Sequence, residues 1–108
     1  MANTFKSNVA SSILTTGNTV YTVPAATTAT VIGLSLANKS GSTVTANAFI
    51  TRSSVNYALI ANVSIVSGST ILVGGGDQKI VLQAADSINV STSAATSLDV
   101  IISVLEIT

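Results

Sequence analysis

The sequence predicts an all-β protein, a single β-sandwich of about eight or nine short antiparallel strands, with the jelly roll among its candidate topologies. Three observations carry that reading. The 108 residues suit one domain. Apolar residues alternate with period two in short runs, and no run follows the 3.6-residue period of a helix. Gly, Asn, Asp and Ser clusters, with the single Pro24, separate those runs at the spacing of strand turns.

Residues 1–16 stand apart as an N-terminal arm or edge strand, and residues 17–108 form the sandwich domain. In the first segment Phe5, Val9 and Ile13 recur every four residues, a poor match to strand alternation, which predicts an arm that docks on a neighbouring subunit. Val20 to Val23 is a short strand stopped by Pro24. From Ala29 to Asn38 the even positions Ile32, Leu34 and Leu36 form a core stripe, with Gly33 and Ser35 opposite. The turn Asn38-Lys39-Ser40-Gly41 leads to Val44, Ala46, Ala48 and Ile50, and the two runs are expected to pair as a hairpin. Tyr57, Leu59, Ala61, Val63 and Ile65 repeat the pattern up to Ser67-Gly68-Ser69. Thr70–Val73 and Lys79–Leu82 read as two strands reversed through Gly74-Gly75-Gly76-Asp77. Ile88 and Val90 mark the next strand. The last carries Leu98, Val100, Ile102 and Val104 on one side and Ile101, Leu105 and Ile107 on the other, so it should be covered on both faces. The expected core is Ile32, Leu34, Leu36, Ile50, Leu59, Ile88, Val100 and Ile102.

Charged residues make up only 7% of the chain, well below the roughly 25% of an average soluble domain. Ser, Thr and Asn take their place, giving a neutral surface with little repulsion between copies. Lys6, Lys39, Arg52 and Lys79 are scattered among Asp77, Asp86, Asp99 and Glu106, so no basic block could follow a nucleic-acid backbone. The start of the chain lacks a signal-peptide pattern, and no apolar stretch reaches membrane-spanning length. Neither a nucleic-acid nor a membrane partner is expected.

Catalytic equipment is not expected either. His and Cys are both absent, which removes the usual general base and the thiol nucleophile. Asp77 and Asp86 sit in predicted turns, while Asp99 and Glu106 lie about 23 Å apart along one straight strand. Gly74-Gly75-Gly76 fits neither phosphate-loop pattern, and Asp77 has no run of further ligands for calcium. No cofactor or metal is expected. Asn38-Lys39-Ser40, Asn62-Val63-Ser64 and Asn89-Val90-Ser91 match the glycosylation triplet, as chance would produce in a chain this rich in Asn, Ser and Thr.

Thr19-Val-Tyr-Thr-Val-Pro24, Ala29-Thr-Val-Ile-Gly-Leu-Ser-Leu-Ala-Asn38, Ile50-Thr-Arg52, Gly76-Asp-Gln-Lys-Ile-Val-Leu82 and Ser97 to Ile107 together resemble small virion structural proteins of tailed bacteriophages, of the cyanophage and marine-phage type. The resemblance covers most of the chain beyond about residue 17 and rests on structural segments, not on active-site motifs. It implies a non-enzymatic virion component, foremost a capsid decoration or cement protein that stabilises the shell through protein–protein contacts. A tail, baseplate or fibre-attachment protein is the alternative; a second one, of a different class and not implied by the resemblance, is a carbohydrate-binding module, which the β-sandwich suits but the absence of Trp counts against. The implied partners are the major capsid protein or tail proteins together with further copies of the chain, a trimer being preferred by the same resemblance, and the implied location is the virion. Phe5, Val9, Ile13, Ile101, Leu105 and Ile107 are the expected interface residues.

Overall fold

The computed structural model describes residues 3–11, 13, 15–95 and 97–108, and for residues 74–79 the backbone alone. Eight strands run in order: β1 (Asn3–Ser11), β2 (Asn18–Thr22), β3 (Thr28–Asn38), β4 (Val44–Arg52), β5 (Val55–Ile65), β6 (Thr70–Leu82), β7 (Ser87–Thr92) and β8 (Leu98–Ile107). They form two four-stranded sheets, ordered β1-β8-β3-β6 and β2-β7-β4-β5, with every pairing antiparallel. Strand 1 pairs with 8, 2 with 7, 3 with 6 and 4 with 5, so the chain is one long antiparallel ribbon rolled over itself. That is the topology of a jelly roll.

Alternation explains the core. On β8, Leu98, Val100, Ile102 and Val104 point inward and are buried, as are Ile88 and Val90 on β7 and Ala46 and Ala48 on β4. Of the expected core residues, Leu34, Leu36, Ile88, Val100 and Ile102 are fully buried, and Ile50 and Leu59 pack against the core partly covered.

Ile32 departs from that expectation, being 40% exposed. Val31 pairs with Val104 and Gly33 with Ser103, so Ile32 is one residue too many for β8 to match and forms a β-bulge. The inward positions are therefore Ala29 and Val31 before the bulge, and Leu34 and Leu36 after it.

Three further expectations are corrected. β3 and β4 do not pair as a hairpin but lie in opposite sheets, and the connection between them crosses from one layer to the other. Asn38 fixes this corner: buried, it donates from Nδ2 to the carbonyls of Ser42 and Ile65, and its Oδ1 accepts from the Ser40 N–H and hydroxyl. The tight hairpin is instead β4–β5, where Ser53 and Ser54 both take positive φ (53° and 63°) between the paired Arg52 and Val55.

The glycine run does not reverse the chain, because β6 continues through it as one strand. Between Leu82 and Thr70 β6 takes twelve steps, whereas β3 takes eight between Ala29 and Ala37, so four residues of β6 are surplus and its register shifts on either side of the Gly33–Gly75 pair. Residues without Cβ atoms let the backbone take up that slack. Finally, of the two alternatives for the N-terminal segment, residues 3–11 take the edge strand and not an arm laid along a neighbour's sheet edge. They pair along the whole length of β8, from Asn3 opposite Ile107 to Ser11 opposite Asp99, as the edge strand of the chain's own sheet.

Candidate functional site

Register gives the two outer faces of the sandwich opposite characters. On the β1-β8-β3-β6 face, paired residues line up in rows across all four strands. One row is Phe5, Leu105, Thr30 and Val81, and another is Val9, Ile101, Ser35 and Leu72. Phe5, Val9 and Leu72 are 74%, 75% and 80% exposed, and Ile101 and Val81 are also exposed. Between the rows lies a third made of Ser7, Ser103, Gly33 and Gly75, all small. The face therefore carries two apolar ridges, four residues or about 14 Å apart along β8, with a shallow trough between them. Ile32 on its bulge stands in that trough beside Phe5 and Ser103. At one end the patch is bounded by a polar cluster, in which Lys39 Nζ lies 2.9 Å from Asp99 Oδ1 and the Ser11 hydroxyl donates to the same oxygen at 2.8 Å.

Of the six residues singled out in the sequence, this face gathers Phe5, Val9, Ile101, Leu105 and Ile107, the last two half-buried. Ile13 is not among them. It is fully buried, its N–H donating to the Leu98 carbonyl, because the chain dips between the sheets after β1 ends. Leu72, Val81 and Ile32 complete the face but were not singled out. Leu72 and Val81 belonged to an expected hairpin, and Ile32 to the expected core. Only the β3–β6 register shows that they share a surface with Val9 and Phe5.

The β2-β7-β4-β5 face is polar. Thr19, Asn89, Phe49 and Ala58 form one row, and Ser87, Thr51 and Asn56 the next. A chain of hydrogen bonds crosses the four strands: Thr19 Oγ1 donates to Asn89 Oδ1 (2.5 Å), Asn89 Nδ2 to Thr51 Oγ1 (2.6 Å), and Thr51 Oγ1 to Asn56 Oδ1 (2.7 Å). With the loop at residues 15–17 as a wall, these groups line an open depression of about 490 Å³.

The described charges are all paired. Arg52 grips Asp86 through both Nε and Nη2, and Asp86 also accepts from the Gln83 N–H, so the carboxyl lies below its usual range, chiefly through the Arg52 bond. Inside the sandwich, Glu106 accepts from the Tyr21 hydroxyl and lies 3.1 Å from Lys6 Nζ. The Tyr21 bond holds the Glu106 carboxyl below its ordinary value, with Lys6 helping and burial opposing. Burial first, and then Glu106, pushes the Tyr21 phenol well above its ordinary value. These carboxylates are structural ties between strands. Among the described residues no group of three His, Cys, Asp or Glu side chains could hold a metal ion, and no helix is long and apolar enough to cross a membrane. Asn38, the first residue of one glycosylation triplet, is buried with its amide fully engaged.

Solved structures share the fold at low identity. A chain of the Bacillus endospore appendages, described as disulfide-linked pili, is similar with a TM-score of 0.57 and 14% identity over 98% of this chain and 88% of that one. A chain of the T13 particle of infectious bursal disease virus is similar with a TM-score of 0.54 and 10% identity over 96% of this chain. The present chain spans 30% of that viral protein's length. No protein-family model matches the chain, and no curated protein matches it by sequence. The likeness is one of fold.

Proposed function

We propose that the protein is a non-enzymatic structural subunit of a virus particle, most specifically a decoration or cement protein of a bacteriophage capsid, which attaches through the outer face of the β1-β8-β3-β6 sheet. The observation that carries this reading is the pair of apolar ridges on that face, one ending in Leu72 and the other in Phe5. Large apolar side chains exposed together on one face mark a contact site, and covering one such as Leu72 or Val9 contributes about 1.5–3 kcal/mol. The three described ion pairs support it from the other direction, since each is satisfied within the subunit, and the described residues of the ridges carry no charge. Both similar structures come from assemblies, a pilus and a viral particle, which fits a fold used for packing copies together. This sequence contains no cysteine, so the disulfide links of the similar pilus have no counterpart in it.

Sedimentation velocity tests the reading, using purified protein alone and mixed with phage particles lacking it. The expected result is a homo-oligomer or a particle-bound fraction, both lost in a Val9→Asn/Leu72→Ser variant whose melting transition is unchanged. A monomer at high concentration with no affinity for particles would overturn it, as would a variant that assembles like the wild type.

A further inference from the structure

We propose that the depression on the β2-β7-β4-β5 face is a binding site for a neutral saccharide. Its lining carries no formal charge: Thr19, Phe49, Thr51, Asn56, Ser87 and Asn89 supply hydroxyls, amides and one aromatic ring. An anion or a cation would find no counter-charge there. A sugar is the chemistry that fits, because each of its hydroxyls both donates and accepts, as do the Ser and Thr hydroxyls and, through its two ends, the Asn amide. The volume of about 490 Å³ lies within the range of small-ligand pockets.

The site is also organised before any ligand arrives. The bonds from Thr19 to Asn89, Asn89 to Thr51 and Thr51 to Asn56 all run in one direction across the sheet, and Asn89 Nδ2 also donates to Ser87 Oγ at 3.2 Å. Asn89 is thereby locked between β2 and β4, while the chain of bonds ends on the Asn56 side-chain carbonyl, at an exposed position of the edge strand β5. Phe49, half-buried in the row next to Asn89, offers an apolar ring against which the C–H face of a pyranose can lie while its hydroxyls meet the amides and hydroxyls around it. Fixed groups of this kind hold a ligand at lower ordering cost than mobile ones.

The location gives the site its use. It lies on the sheet opposite the apolar ridges, so a subunit held on a particle by the β1-β8-β3-β6 face turns this depression towards the medium. That orientation rests on the assembly reading; the site itself does not, and it is tested on the isolated subunit.

The experiment is a ¹H–¹⁵N shift titration of the purified protein with the methyl glycosides of glucose, galactose, mannose and N-acetylglucosamine at millimolar concentrations, with N-acetylneuraminic acid as the charged comparison. At least one neutral glycoside should give saturable shifts centred on Thr19, Thr51, Asn56 and Asn89. Phe49→Ala, and separately Asn56→Ala on the exposed edge strand, should each weaken binding about tenfold or more, a change of about 1.4 kcal/mol. Leu72→Ser on the opposite face should leave it unchanged. Absence of saturable shifts with every neutral glycoside would overturn the proposal. So would shifts centred elsewhere, stronger binding of N-acetylneuraminic acid than of any neutral sugar, or wild-type affinity in both Phe49→Ala and Asn56→Ala.

Discussion

Tyr21 on β2 donates its phenolic hydrogen bond to Glu106 on β8 across the interior of the sandwich, at 2.5 Å, and so ties the two sheets together through a buried carboxylate. Lys6 on the edge strand β1 reaches the other oxygen of the same carboxylate. Three strands from both sheets therefore converge on one group, and the buried side-chain polar atoms among the described residues are all satisfied.

Removing the hydroxyl with Tyr21→Phe leaves Glu106 buried with Lys6 as its remaining polar side-chain partner. Hydrogen bonds to charged groups contribute about 1.5–3 kcal/mol, and the variant should lose that much stability in a urea titration. A loss below about 0.5 kcal/mol would mean that the tie does not form in solution.

Stability should also depend on pH at both ends of the scale. The carboxyls of Glu106 and Asp86 lie below their ordinary values of 4.5 and 3.8 in the folded chain, so the unfolded chain takes up protons first as the pH falls. Their contribution is present in full above the ordinary carboxylate range and is lost as the pH drops through it towards the depressed folded values. Tyr21 acts in the opposite direction. Its phenol is raised above 10.0, so the unfolded chain loses that proton first, and the contribution is complete below pH 10.0 and lost as the pH rises beyond it. Urea midpoints measured across the pH range should show a plateau between these limits, and Tyr21→Phe should flatten the alkaline limb. An alkaline limb of equal depth in that variant would assign it to another group.

Ile32 and Leu34 are both β-branched or branched aliphatic residues on the same strand, yet they should respond differently to truncation. Leu34 is buried, and Leu34→Ala should cost about 2–5 kcal/mol. Ile32 stands on the bulge, 40% exposed on the outer face, and Ile32→Ala should cost under about 1.5 kcal/mol. Equal losses in reversible denaturant melts would place the bulge elsewhere.

These same residues mark how far the sequence could be read. Alternation was enough for Leu34, Leu36, Ile88, Val100 and Ile102, because a strand with one buried face must repeat every second residue. It failed at Ile32 because one inserted residue reverses the inward face, and that insertion exists only relative to β8. The glycine run misled for a related reason: Gly74 to Gly76 suit a reversal, but opposite Gly33 they suit a bulged strand equally well, and the pairing partner decides. Sheet membership was hidden at Asn38, whose buried side-chain bonds turn the chain into the other layer where a hairpin was expected. The second apolar side of β8 was legible in Ile101, Leu105 and Ile107, and Phe5 and Val9 proved to flank it. Their four-residue spacing is an even number and so places both on the same face of a strand, with Ser7 between them on that face. Leu72 joins them only through register.

A density map of the particle that carries this subunit tests the assembly face most directly. The account predicts that the β1-β8-β3-β6 sheet lies against the particle, with Val9 and Leu72 within about 4.5 Å of partner atoms and Asn89 facing the medium. A map in which Val9 and Leu72 face solvent while the subunit is held through its β2-β7-β4-β5 sheet would contradict it.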